Sequence, residues 1–268
     1  MKRKQWDTIY RWEWFRRDQW RHSFREDKLG GYGGTPAAFK RILEQAGGTL
    51  ALDASCGLGL KTLIMTEMGI DVVGSDQSEF AVEKARELSR LEGHPMEFFT
   101  ARWNELPSRT KLQFDAIFND ALSWIVTRQE FEEALHGLRG ALRPGGVLVF
   151  MGAAQGSTLA DSLARLDQDW ESKPRFGVEW THSDGEVRCT NLVVRDRRDD
   201  YIDEHHLYLI EEGAEQRLET ATIRQPVYWH WSLLREMFEG AGFSRLETRE
   251  FRGMGRGGSD FTLNIATR

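Results

Sequence analysis

The chain reads as an α/β protein built on a doubly wound, mainly parallel sheet. Three observations predict this. Apolar runs of strand length alternate with segments of helical periodicity across residues 49–150, the pattern of successive βα units joined by right-handed crossovers. The first run breaks into a glycine-containing turn and then a helix. The last part of the chain supplies a helix followed by two strand-like runs joined by a glycine-rich turn, Gly253–Gly258, which suits a closing antiparallel pair.

Element by element, residues 1–29 mix aromatic and basic side chains (Trp12, Trp14, Phe15, Arg16, Arg17, Trp20) with apolar positions at helical spacing, which predicts one amphipathic helix. Residues 30–34, Gly-Gly-Tyr-Gly-Gly, predict a hinge, and Pro36–Ala46 a helix. The core then reads as strand 49–54, helix 60–68, strand 71–75, helix 78–92, strand 96–101, strand 114–119 and helix 128–142. A Pro144-Gly145-Gly146 turn precedes a strand over Val147–Met151. Residues 152–176 read as loop and helix. From 177 to 226 apolar and polar residues alternate between turn signals such as Ser183-Asp184-Gly185, which predicts an inserted antiparallel meander. The charged run Arg195–Asp200 reads as a solvated turn. His205 and His206 are adjacent and face opposite sides of a strand, which argues against a shared metal. The predicted organisation is an arm (1–35), a core (36–151), an insert (152–230) and a closing segment of the core (231–268).

The chemistry concentrates where the first two strands end. A strand-to-helix turn with glycines lets a ligand approach the backbone and use the helix N-terminus. Asp53, Ser55, Cys56, Gly57 and Gly59 form that turn, and Asp76 closes the next strand, placed to hydrogen-bond a ribose. Ligands of open α/β sheets sit at these carboxyl ends. An adenosine-containing cofactor is therefore expected. A dinucleotide-binding turn would need a further glycine, and none follows Gly59 until Gly69. A side chain at Gly59 is expected to collide with the cofactor while leaving the fold intact.

Asp53-x-Ser55-x-Gly57-x-Gly59 resembles the first motif of the class I S-adenosylmethionine-dependent methyltransferases. Several segments are similar to the glycine N-methyltransferase-like group: Val73–Ser78, Thr100–Trp103, Phe114–Ile117 with Ser123-Trp124, and Leu142–Gly146. The resemblance implies a Rossmann-like seven-stranded sheet with an antiparallel closing strand, and a small inserted antiparallel sheet as a lid. It implies S-adenosylmethionine as cofactor, with Asp53 orienting its methionine end and Asp76 and Gln77 at the ribose. Ala101, Arg102 and Trp103 would flank the adenine, and Asn119 and Ser123 would run past the methionine end. Two family features are missing. Met151–Gly156 lacks the arginine that grips a glycine carboxylate there, and Gly34-Thr35-Pro36 lacks the arginine that contacts the methionine carboxylate. Tyr32 or an arginine of the first helix is the expected substitute.

Composition narrows the rest. The chain has 268 residues, 40% hydrophobic, a formal net charge of −6 and two cysteines. That fits an enzyme-sized protein with neither a disulfide framework nor zinc-ligand spacing, and it argues against nucleic acid as partner. No apolar run approaches a membrane span and no signal-like segment is present, so a cytoplasmic location is expected. The expected partner is a small-molecule methyl acceptor, and the arm or insert would carry any self-association. Methyl transfer from a sulfonium needs an acceptor held in line about 3–3.5 Å from the methyl carbon. An amine needs only to arrive neutral, whereas a hydroxyl needs a base. His230 is the candidate base, with Tyr228 and Trp124 as rings able to stabilise positive charge. Alternatives are O-methylation of a hydroxyl or carboxylate, a SAM-binding protein without catalysis, and a nicotinamide-dependent oxidoreductase.

Overall fold

The computed structural model describes residues 3–26, 34–152, 156–226, 229–255 and 258–268. The chain divides into two compact units. The larger holds residues 20–122, 127–152 and 235–268; the smaller holds 1–19, 123–126 and 153–234.

The N-terminal segment is two helices, α1 (Arg3–Phe15) and α2 (Arg17–Glu26), where the sequence predicts one. The helical ladder breaks at Arg16, whose carbonyl accepts a turn bond from Gln19 N–H at 3.0 Å. Residues up to Gln19 pack in the smaller unit and those from Trp20 in the larger.

The core elements follow as α3 (Gly34–Gln45), β1 (Leu50–Asp53), α4 (Leu60–Glu67), β2 (Asp71–Asp76), α5 (Glu79–Leu91) and β3 (Phe98–Thr100). Next come α6 (Leu106–Arg109), β4 (Phe114–Asn119), α7 (Arg128–Ala141) and β5 (Leu142–Phe150). Gly34, expected in the hinge, instead begins α3 where the Met254 carbonyl approaches: an added Cβ would lie 1.6 Å from that oxygen. The smaller unit contributes α8 (Leu159–Ser172), β6 (Phe176–Asp184), β7 (Val187–Arg197), β8 (Tyr201–Glu212) and β9 (Glu215–Pro226). The chain ends with α9 (Trp231–Gly240), β10 (Arg245–Phe251) and β11 (Phe261–Thr267).

The larger unit is a seven-stranded sheet in the order β10-β11-β5-β4-β1-β2-β3. Its strand pairs are parallel except that β11 runs antiparallel to both β5 and β10. From β1 the chain winds outward through β2 and β3, then returns to lay β4 on the other side of β1. This reversal opens a crevice at the carboxyl ends of β1 and β4. The inner strands β1, β2 and β4 are buried along nearly their whole length, as the middle of a doubly wound sheet requires. One core cluster packs Phe39 and Ile42 of α3 on Ala51, Ala116, Phe118 and Val149; on the sheet's α9 side Phe238 stacks on Phe150 at 5.1 Å.

The Pro144-Gly145-Gly146 turn expected ahead of β5 lies inside the strand. The pairing with β4 is irregular between Phe114 and Ala116. The glycines still find partners, since Gly145 N–H donates to the Arg268 carbonyl and the Gly146 carbonyl accepts from Arg268 N–H. Backbone pairing with the chain end therefore extends the strand through residues that would otherwise turn.

The smaller unit is a four-stranded antiparallel meander, β6-β7-β8-β9. Helix α1 packs on it: Ile9 and Trp12 join Trp180, Cys189, Tyr208, Ile210, Ala221 and Ile223 in one core cluster. Trp12 stacks on Tyr208 at 6.0 Å and its Nε1–H donates to Glu219 at 3.0 Å. The charged run is only partly a turn. Arg195 and Arg197 belong to β7, and their guanidinium groups bond Glu204 at 2.7 Å and Asp167 at 2.6 Å. Glu204 on the paired strand β8 and Asp167 on α8 supply those partners, which composition alone could not reveal. His205 and His206 do face apart, the first bonding Thr222 and the second Asn191. Among the described residues no helix is long and apolar enough to cross a membrane.

Candidate functional site

Most of the expected cofactor residues come together at the carboxyl ends of β3, β2, β1 and β4. Gly57 and Gly59 adopt φ of 51° and 85°, so the turn after β1 doubles back in the left-handed region that favours glycine. The Cys56 amide donates to the Ser75 carbonyl at 3.0 Å, tying the turn to β2. Burial, and then the charge of Asp76, raises the Cys56 thiol well above its ordinary range, which keeps it neutral and unreactive.

Asp76 stands at the end of β2 and is buried. One of its carboxylate oxygens accepts from Gly57 N–H at 3.1 Å and the other from Ser78 N–H at 2.9 Å. The acid at the second strand thus holds the glycine turn of the first, fixing both against a ligand. Gln77 follows, half-buried, and Ser78 caps α5 by accepting from Ala81 N–H. Ala101 is buried, with its amide donating to the Asp76 carbonyl at 3.0 Å. Arg102 is exposed beyond β3. The Trp103 indole N–H reaches across to the Ala54 carbonyl at 2.6 Å, which places its ring along the turn.

At the β1–β4 crevice lies a second group. Asp53 is buried at 1% exposure. Thr62 Oγ1 donates to it at 2.8 Å, while Ser55 N–H lies at 3.4 Å. Burial, reinforced by the negative charge of Asp120, raises its pKa to about 7 against the opposing Thr62 and Lys61. Ser55 Oγ donates to Asp120 at 2.9 Å, and Asp120 N–H donates back to Ser55 Oγ at 3.1 Å. The other Asp120 oxygen pairs with the Lys61 ammonium. Asn119 is fully buried; its Oδ1 accepts from Ala121 N–H at 2.8 Å, but its Nδ2 finds no partner. An unpaired buried amide costs about 1–3 kcal/mol, so this donor fits a ligand acceptor or a water.

Asp120 and Lys61 were not among the residues expected from the sequence. The available signal was electrostatic: Lys61 sits in the first turn of α4, where a cation opposes the helix dipole and needs compensation. Gly59 corrects one expectation. A Cβ there would lie 2.8 Å from the Ala85 Cβ of α5, so the glycine is required by the packing of two helices as well as by any ligand.

The remaining expected residues belong to the smaller unit or fall outside the described residues. Ser123 and Trp124 belong to the smaller unit, where Trp124 meets Trp6 edge-on at 6.3 Å. His230 precedes α9, and its Nδ1 accepts from Leu233 N–H at 3.4 Å. The ring thus caps the first turn of α9 through one of its two nitrogens. Its neighbour Trp229 is buried, donating to the Ile125 carbonyl at 2.8 Å. Tyr32 and Tyr228 lie outside the described residues, as do Ala153–Gln155 of the stretch where the carboxylate-gripping arginine was expected. Among the described residues no group of three His, Cys, Asp or Glu side chains is arranged to hold a metal.

Residues 51–146, which contain every strand end just described, match the family model of a methyltransferase domain. Over 113 residues the chain is 30% identical to a glycine/sarcosine N-methyltransferase of Halorhodospira halochloris, a match covering 41% of this chain and 42% of that protein. The match thus spans about two fifths of that curated relative's length. Solved structures extend the likeness of fold beyond these residues. An S-adenosylmethionine-dependent methyltransferase from Clostridium acetobutylicum superposes with a TM-score of 0.64 at 14% identity, covering 93% of this chain and 98% of that one. A sugar N-methyltransferase from a Streptoalloteichus species gives 0.67 at 16% identity, with 92% of each chain covered. The seven-stranded sheet with its reversed β11, accompanied by a separate four-stranded sheet, is the class I methyltransferase fold expected from the sequence.

Proposed function

We propose that this protein is an S-adenosylmethionine-dependent methyltransferase that transfers a methyl group to a small molecule, with an amine nitrogen as acceptor. The observation that carries the reading is the coupling of Asp76 to the glycine turn through Gly57 N–H, inside the methyltransferase domain. Asp76 and Gln77 hold the ribose, and Ala101, Arg102 and Trp103 flank the adenine. Asp53 and Asn119 serve the methionine end. Bound S-adenosylmethionine supplies an electrophilic methyl group on a sulfonium.

The protein's part is to orient the acceptor and exclude water, because the departing thioether needs no proton. An amine asks least of the residues present, since it attacks as the neutral base and sheds its proton afterwards. His230 is then not required as a base, consistent with its engaged Nδ1. The curated relative is an N-methyltransferase by name, which supports nitrogen over oxygen. Acceptor choice rests with the smaller unit, because the cofactor residues cluster in the larger one. Free glycine is a poor acceptor here, since Met151–Gly156 offers no arginine for its carboxylate.

The test is transfer of a labelled methyl group from S-adenosylmethionine to a panel of amines, amino acids and phenols. Label in amines, with glycine well below the best acceptor, is the expected result. Transfer confined to hydroxyl or carboxyl groups, or to none of the panel, would remove the amine assignment.

A further inference from the structure

The amino-acid end of S-adenosylmethionine carries a carboxylate, and the arginine expected to meet it is missing from the sequence. We infer that Lys61 takes that place, using the ammonium that Asp120 and Ser55 position at the β1–β4 crevice. The inference rests on the cofactor reading above and adds to it the partner of one ligand group.

The direction of the cofactor follows from the strand order. With ribose at the end of β2 and adenine beside β3, the amino-acid end must extend the other way, over β1 and β4. Among the described residues, Lys61 places a cation there. Its Nζ pairs with Asp120, just past β4, and lies 5.7 Å from the centre of the Phe118 ring on β4. The side chain retains 31% exposure, so the ammonium is neither sealed in the core nor loose in solvent. An ammonium has three donors, so a ligand carboxylate can join Asp120 without displacing it.

The position is also a costly one. A cation at the first turn of α4 opposes the helix dipole, and the first turn holds no acid to relieve it. Relief comes instead from Asp120, which is itself steered by two hydrogen bonds with Ser55. Ser55 thereby has a use that a glycine could not serve. Asp53 stands beside this group, close enough for both Asp120 and Lys61 to act on its carboxyl.

Three arginines of the N-terminal helices have partners elsewhere. Arg21 pairs with Glu92 at 2.6 Å, just past the C-terminal end of α5. A crossover helix ends at the edge of the sheet opposite the strand carboxyl ends, so this arginine is remote from the crevice. Arg16 bonds Glu13, and Arg11 bonds Glu219 of the meander.

The test is calorimetric binding of two probes to the full chain: S-adenosylmethionine and its decarboxylated form, which lacks only the carboxylate. In Lys61→Gln, affinity for S-adenosylmethionine should fall about tenfold or more, as loss of a charge-assisted bond predicts, with less than about a twofold change for the decarboxylated probe. Lys61→Arg should keep most of the discrimination, and thermal unfolding of both variants checks that they are folded. An equal loss for both probes would mean that Lys61 only shapes the turn, and no loss for either would place the carboxylate elsewhere. Both results overturn the inference. If the unaltered protein binds neither probe, the cofactor reading itself fails and the inference goes with it.

Discussion

Replacing Gly59 by alanine should unfold part of the protein's stability rather than simply block a ligand. The glycine has φ of 85°, where an L-residue pays about 1–2 kcal/mol. Its added Cβ would sit 2.8 Å from the Ala85 Cβ and 3.1 Å from the Ala85 Cα. Overpacking of that kind costs about 1–3 kcal/mol, because the close atoms include the backbone of α5 and cannot swing away. The two together come to about 2–5 kcal/mol, a large share of an ordinary domain's stability of about 5–15 kcal/mol. Urea unfolding followed by tryptophan fluorescence measures it, provided that the slope with denaturant is unchanged. The steric part can be isolated. Ala85→Gly alone should cost about 0.5–1 kcal/mol as a helix-interior glycine. Combined with Gly59→Ala, it should recover about 1–3 kcal/mol of the loss while the backbone strain remains. A Gly59→Ala variant within about 0.5 kcal/mol of the parent would refute the packing argument. A double variant no better than the sum of the two singles would do the same for its steric half.

Three further outcomes are expected. Asp76→Asn keeps one acceptor for the backbone amides but removes the charge, so S-adenosylhomocysteine affinity should drop about tenfold or more; undiminished binding by calorimetry would unseat the ribose assignment. Asp53 has its native pKa raised to about 7, so between the ordinary carboxylate value near 4 and that point the folded chain holds a proton that the unfolded chain releases. Its contribution is present at low pH and is lost as pH rises through that window; Asp53→Asn should flatten the decline of melting temperature between those limits, and parallel curves for the two proteins would show the acid is not raised. Trp12→Ala removes a buried ring stacked on Tyr208 and a hydrogen bond to Glu219, so it should cost about 3–5 kcal/mol and destabilise the meander unit; a melting curve unchanged by the substitution would show that α1 contributes little to that core.

Much of the architecture was legible in the order of residues, because its causes are local. A run such as Leu50-Ala51-Leu52 can be buried on both faces only as an interior strand, and the turn that follows it needs the left-handed backbone its glycines permit. Asp76 could be placed at a strand end by counting, and the alternation of residues 177–226 announced a two-sided antiparallel sheet. What the tertiary structure alone decided is which distant groups meet. Ser55 and Asp120 are 65 positions apart and become partners because the strand order reverses between β1 and β4. Lys61 acquires its role only through that meeting. Arg195 and Arg197 leave an apparent turn because Glu204 on the paired strand and Asp167 on α8 offer them carboxylates. Local sequence sets backbone preference and the side from which water is excluded; the pairing of charges and the space left for a side chain at Gly59 depend on what the fold brings alongside.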